Sequence, residues 1–128
     1  MGAGAVGSYY GALLARDGHD VALVARGPHL DALRARGAVL VREADGSRWE
    51  APVRALAAPA GRADLAILAT KSHHTLPAAR ALAGALAADD TVLCLQNGVE
   101  NVERAASVLG PRVLGGIEDR VGDHFRRI

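Results

Sequence analysis

Gly2, Gly4 and Gly7 stand as G-x-G-x-x-G ahead of a stretch able to form a helix. Glycines at that spacing let a backbone turn tightly, lie close to a pyrophosphate and pack a helix against a sheet. Gly2 is expected to make the turn, Gly4 to admit the phosphates and Gly7 to seat the helix. With Ala5 and Val6 they form a candidate phosphate loop, whose free N–H groups and helix dipole would face the negative charge. In a chain this rich in Ala and Gly the pattern is weak by itself, so the other polar positions must be weighed with it.

Three of those follow apolar runs of strand length. Arg26 lies about twenty residues beyond the glycines, where an NAD enzyme would place an acidic residue on the adenosine ribose. An arginine cannot accept those hydroxyl hydrogen bonds but pairs well with a 2′-phosphate. This favours NADP over NAD and argues against a methyltransferase, although a solvated arginine is the plainer alternative. Lys71, the only lysine, could hold a cofactor ribose or a substrate carboxylate, or be an ordinary surface lysine. Asn97 could serve a nicotinamide ribose or a substrate hydroxyl, or simply take a left-handed turn before Gly98.

The elements that would position these residues read as an alternation of helix and buried strand. Residues 6–17 suit a helix, with Tyr9, Leu13 and Leu14 available for burial and Gly18 as its stop. Residues 20–25 (DVALVA) form a run suited to a parallel strand buried on both faces. Pro28 opens a second helix that buries Leu30 and Leu33 and closes at Gly37. From 38 to 56 the character changes: two short strands flank Asp45-Gly46, a strong hairpin signal. A loop over 57–63 leads to strand 65–69 (LAILA), which delivers Thr70-Lys71-Ser72-His73-His74 to its end. Thr75 could cap a helix to about 87, followed by strand 91–95 (TVLCL), a helix with Val99, Val102 and Ala106 on one face, and a strand from 112. Ligands in open parallel sheets bind beyond the carboxyl ends of the strands, where all four candidate places fall. The fold class expected is α/β, a Rossmann-like doubly wound and mostly parallel sheet. Only Met1 precedes the glycine loop, so the first strand of that pattern is missing. Residues 1–116 are expected to form one dinucleotide-binding domain, and 117–128 a divergent tail.

Composition narrows the classes further. The chain has 128 residues, half of them hydrophobic, and a formal charge of +1, so a single globular domain with a modest core is expected. Near-neutral charge and scarce aromatics give no basis for nucleic-acid binding, and no apolar run reaches membrane-spanning length. One cysteine, Cys94, cannot form an internal disulfide; it reads as a buried apolar residue, and the cytoplasm is the default setting. His73 and His74 are adjacent, so their side chains should diverge, and no third ligand stands at zinc-like spacing. No metal site is expected.

The stretches GAGAVGSYYGALLARDGHDVALVAR, LAILATKSHHT, LQNGVENVE and VLGG, in that order from Gly2 to about Gly116, resemble the N-terminal domain of the ketopantoate reductases (2-dehydropantoate 2-reductases). The resemblance implies an oxidoreductase of pantothenate biosynthesis, in which NADPH delivers hydride to the ketone carbon of 2-dehydropantoate or a related 2-keto acid. Gly2, Gly4, Ala5, Val6 and Gly7 would then form the phosphate loop and Arg26 would meet the 2′-phosphate. Lys71 would bind cofactor, while Asn97 would lie near both the nicotinamide ribose and the substrate. The family's C-terminal helical domain, which supplies the general-acid lysine and most of the substrate pocket, has no counterpart here, so no catalytic residue is assigned to this chain. The expectation is a cofactor-binding half, truncated at both ends and inactive alone. Its partners would be a small 2-keto acid and either a second copy of the chain or the missing domain. A non-catalytic NADP-binding module and an inactive remnant are the two alternatives.

Overall fold

A computed structural model describes residues 1–116, which form two compact units: Ala3–Ala57, and Met1–Gly2 together with residues 58–116. The tail expected at 117–128 lies outside the described residues.

The Ala3–Ala57 unit runs α1 (Ala5–Arg16), β1 (Ala22–Val24), α2 (Gly27–Arg36), β2 (Ala38–Arg42), β3 (Arg48–Pro52) and β4 (Arg54–Leu56). Helix α1 buries Ser8, Gly11, Ala12 and Ala15, whereas Leu13 and Leu14 stay only half-buried. That corrects the expectation for the two leucines, while Tyr9 packs against the core at its margin. The reason is closeness: a Cβ on Gly11 would lie 2.7 Å from Leu23 Cδ2 and 3.5 Å from Val21 Cγ1. Small residues on this face let the helix approach its strand, and the bulkier leucines turn aside. Helix α2 behaves as its sequence suggests. Pro28 sits in its first turn, Leu30 and Leu33 are buried, and Gly37 ends it in the left-handed conformation at φ 67°.

Strands β2 and β3 form the antiparallel hairpin expected around Asp45-Gly46, paired from Ala38↔Pro52 to Arg42↔Arg48. Asp45 Oδ1 accepts the Ser47 N–H at 2.8 Å, the local bond that favours aspartate in such turns. The sequence did not separate β4 from the hairpin. Only Val53 stands between β3 and β4, yet β4 leaves the hairpin and pairs in parallel with β1, Ala22↔Arg54 to Val24↔Leu56. Asp20 and Arg54 brace this pairing through two hydrogen bonds of 3.1 and 2.9 Å. Both side chains are exposed, so the brace is worth at most about 1 kcal/mol.

The other unit runs β5 (Leu65–Leu68), a 3-10 turn (Ser72–His74), α3 (Thr75–Ala83), β6 (Thr91–Cys94), α4 (Val99–Leu109), a second 3-10 turn (Gly110–Arg112) and β7 (Val113–Gly115). Its sheet has the order β5-β6-β7, all parallel. Leu68, Val92 and Cys94 are fully buried, in one core cluster with Ala78, Ala79 and Leu82 of α3 and Ala105 and Leu109 of α4, so strands of four residues suffice to anchor both helices. Each large side chain so placed contributes roughly 1.5–3 kcal/mol relative to exposure. Helix α3 stops at Ala83 rather than 87, its end marked by Gly84. On α4 the buried line is Asn101, Ala105 and Leu109, with Val102 packed at its margin. The buried face is therefore turned by about one residue from the expected one, because Asn101 takes an inward position.

Met1 extends this sheet. Its amine donates to Ile67 O at 2.6 Å and its carbonyl accepts the Ala69 N–H at 2.9 Å, the alternation of a parallel ladder.

Candidate functional site

Each unit carries part of the candidate set at the carboxyl end of its parallel strands. In the Ala3–Ala57 unit, the Ala3 N–H donates to Val24 O at 3.1 Å. That bond ties the glycine loop to the end of β1, two residues before Arg26. Gly4 caps α1 with φ −76° and ψ −168°, and no side chain hydrogen-bonds the helix start. The first intrahelical bond is Ser8 N–H to Gly4 O at 2.9 Å. The N–H groups of Ala5, Val6 and Gly7 therefore have no partner inside the helix. The first turn holds no acidic residue, so nothing in it opposes an anion. A Cβ on Gly4 would meet no heavy atom within 4 Å; the glycine leaves the approach to those N–H groups open. Gly4 and Ala5 are exposed, and Val6 and Gly7 half-buried. Ser8 is turned inward, its hydroxyl donating to Ala3 O at 3.1 Å, which fixes the loop from beneath.

Arg26 is the residue before α2, in extended conformation at φ −139°, and is exposed. Its carbonyl accepts the Leu30 N–H at 3.5 Å. Among the described residues no hydrogen bond or ion pair engages its guanidinium. These residues fit a phosphorylated nucleotide: donors free at a helix start, a glycine that clears the approach, and an unpaired guanidinium after the neighbouring strand.

The second unit holds Gly2, Lys71 and Asn97. Gly2 has φ 92°, and a Cβ there would lie 2.7 Å from Thr70 Cγ2 and 2.9 Å from both Ala69 C and Thr70 N. Backbone lies on backbone, and only glycine fits. Lys71 and Asn97 stand three residues beyond the paired Leu68 and Cys94, so β5 and β6 deliver them to the same edge. Both are exposed. The left-handed position next to Asn97 is taken by Gly98, at φ 93°.

Beneath Lys71 and Asn97 lies a buried polar cluster that the sequence reading missed. Gln96 Nε2 donates to Thr70 O and Oγ1 at 2.6 and 3.0 Å. Asn101 Nδ2 donates to Ser72 Oγ at 3.1 Å and to Asn97 O at 2.6 Å. The Thr75 hydroxyl, 1% exposed, has Ser72 O, Gln96 Oε1 and Asn101 Oδ1 within 3.2 Å. Thr75 was expected to cap α3. Instead His74 precedes the helix without a side-chain cap, and the Thr75 hydroxyl turns into the cluster. Two signals pointed there. Gln96 continues the inward alternation of Val92 and Cys94, and Asn101 stands four and eight residues ahead of buried Ala105 and Leu109. A polar residue at such a position must find partners.

The histidines correct another expectation. Their rings lie 4.2 Å apart at 50° instead of diverging, because the 3-10 turn brings them to one side. Among the described residues no group of three or more His, Cys, Asp or Glu is placed to hold a metal ion, and Cys94 is a buried free thiol.

Parallel strands with helical crossovers and a glycine turn opening a helix define a Rossmann-like α/β protein. Comparison with known proteins agrees. A family model described as ketopantoate reductase PanE/ApbA matches residues 1–119. A 2-dehydropantoate 2-reductase of Pyrococcus abyssi is 38% identical over 118 residues, 91% of this chain but 38% of its own length. The crystal structure of a PanE/ApbA family ketopantoate reductase from Ralstonia eutropha superposes with a TM-score of 0.76 at 42% identity, covering 91% of this chain and 38% of that one. A D-mandelate dehydrogenase solved with NADH and anilino(oxo)acetate gives 0.77 at 25% identity, with 91% and 38% covered. The chain belongs to the ketopantoate reductase family. It spans under two fifths of the length of these relatives.

Proposed function

We propose that this chain is the NADPH-binding part of a reductase acting on 2-dehydropantoate or a related 2-keto acid. The observation that carries the proposal is the start of α1. Three N–H groups without intrahelical partners lie behind a glycine that leaves their approach open, with no acid in the first turn. In this role the pyrophosphate lies at Gly4, Ala5, Val6 and Gly7, and the 2′-phosphate meets Arg26. Lys71 and Asn97 serve the nicotinamide ribose, and Asn97 also faces the keto acid. The nicotinamide would supply hydride to the ketone carbon, and the developing alkoxide needs a proton donor. In the family this chain resembles, that donor is a lysine of the C-terminal helical domain; Lys71, the only lysine here, is read as cofactor-binding, so no acid is assigned to this chain. A small keto acid, a second copy of the chain or a completing domain, and a cytoplasmic setting complete the proposal. No helix among the described residues is long and apolar enough to cross a membrane.

Amide chemical shifts of the isotopically labelled chain, recorded as NADPH is added, test it. Saturable shifts at Gly4 to Gly7, Arg26, Lys71 and Asn97 are expected. Shifts confined to other residues, or none at millimolar NADPH, would reject the proposal.

A further inference from the structure

We propose that Asn101 is a positioning residue, holding Lys71 and Asn97 in one fixed arrangement by bonding to the turn that carries each; this rests on the cofactor role proposed above. Both amide hydrogens of Asn101 are used. One goes to Ser72 Oγ, beside Lys71, and the other to the carbonyl of Asn97 itself. The acceptors identify this atom as nitrogen, since a side-chain oxygen could not bond to the Asn97 carbonyl. The residue is 4% exposed and lies in the first turn of α4, on the face that also buries Ala105 and Leu109, so its own position is set by the core.

Gln96 repeats the device on the other side of Lys71, bonding to Thr70 O and Oγ1. The turn carrying Lys71 is thus pinned at the residue before it and the residue after it. Lys71 itself is exposed, and among the described residues no hydrogen bond or ion pair engages its ammonium. Asn97 is treated alike: its carbonyl is bound while the residue is exposed and no described residue bonds its side-chain amide. Rigid backbone beneath unengaged polar groups is the arrangement that reduces the ordering cost of binding a ligand. A cluster serving stability alone would not need to bond both the turn that carries Lys71 and the carbonyl of Asn97; apolar packing stabilises as well. Thr75, central to the same cluster, carries the restraint to the first turn of α3.

The test compares Asn101→Ala and the milder Ser72→Ala, each in the wild-type chain and in a Lys71→Ala/Asn97→Ala background. Dissociation constants are measured for NADPH and for 2′-phospho-AMP, which lacks the nicotinamide half. Asn101→Ala should weaken NADPH about 10-fold and Ser72→Ala about 3-fold, as lost preorganisation predicts. Both effects should vanish in the doubly substituted background, and 2′-phospho-AMP binding should not change. Equal losses in both backgrounds, or equal losses for both ligands, would mean general damage to the fold and overturn the assignment. Hydrogen exchange provides a readout independent of the cofactor. The His74 N–H, bonded to Lys71 O at 2.8 Å, should exchange at least several-fold faster in both variants. Unchanged exchange would also overturn it. Faster exchange in a chain that binds no NADPH would retain the clamp and reject the cofactor role.

Discussion

Adding one methyl group at either of two nearby glycines should separate folding from binding. At Gly4 the backbone, φ −76° and ψ −168°, is open to any residue, and a Cβ would touch nothing within 4 Å. Alanine caps a helix less well than glycine, by up to about 1 kcal/mol. It also removes unfolded-state entropy worth about 0.4–1 kcal/mol. Gly4→Ala should therefore leave stability within about 1 kcal/mol of wild type. Its methyl group would stand on the approach to the α1 N–H groups. Displacing one charge-assisted hydrogen bond costs about 1.5–3 kcal/mol, or roughly 10- to 100-fold in NADPH affinity. Gly2→Ala should do the reverse. A side chain at φ 92° costs about 1–2 kcal/mol, and contacts of 2.7–2.9 Å with Thr70 and Ala69 add an overpacking cost of about 1–3 kcal/mol. The sum, roughly 2–5 kcal/mol, is a large part of a typical domain's stability and should lower Tm by about 10 °C or more. Differential scanning calorimetry and NADPH titration of the two variants decide the matter. A Gly4→Ala chain that melts as low as Gly2→Ala, or that binds NADPH as wild type does, would refute the reasoning.

Burial supplies a pH prediction. Desolvation lowers the Met1 amine from 8.0 to about 6. With a free amine at Met1, the unfolded chain binds the extra proton between those values, so stability should rise from pH 6 to pH 8, by up to about 2 kcal/mol; urea unfolding across that range checks it, and acetylating the amine should flatten the profile. Leu68→Ala, at a fully buried position in β5, should cost about 2–5 kcal/mol in the same assay. A cost below 1 kcal/mol would mean that this sheet is not packed as described.

Much of this arrangement can be read directly from residues. The glycine spacing, the αL stop at Gly37, the Asp45-Gly46 hairpin and the runs DVALVA, LAILA and TVLCL are local signals, and each contains the element it indicates, the strands being one to three residues shorter than the runs. What escaped was set by tertiary contact. Strand β4 is three residues long and parallel to a partner thirty-two positions earlier, a pairing no local pattern encodes. The inner face of α1 follows from the closeness of Leu23 to Gly11, which favours small residues over the leucines that hydropathy selects. The buried amides were overlooked for a similar reason. Asn97 and Lys71 drew attention as exposed polar groups, while Gln96 and Asn101, which carry the bonds beneath them, are polar residues on apolar faces. Asking where each buried amide must find its partners would have located them.

The central claim, that the α1 N-terminus and Arg26 bind a 2′-phosphorylated dinucleotide, is tested most directly by calorimetric titration of NADPH and NADH into the chain and its Arg26→Ala variant. The account predicts that the wild-type chain binds NADPH at least 10-fold more tightly than NADH. Arg26→Ala should remove most of that preference, since a guanidinium–phosphate bond is worth about 1.5–3 kcal/mol, while NADH affinity stays unchanged. Equal affinity for the two cofactors in the wild-type chain, or a preference that survives the substitution, would contradict it.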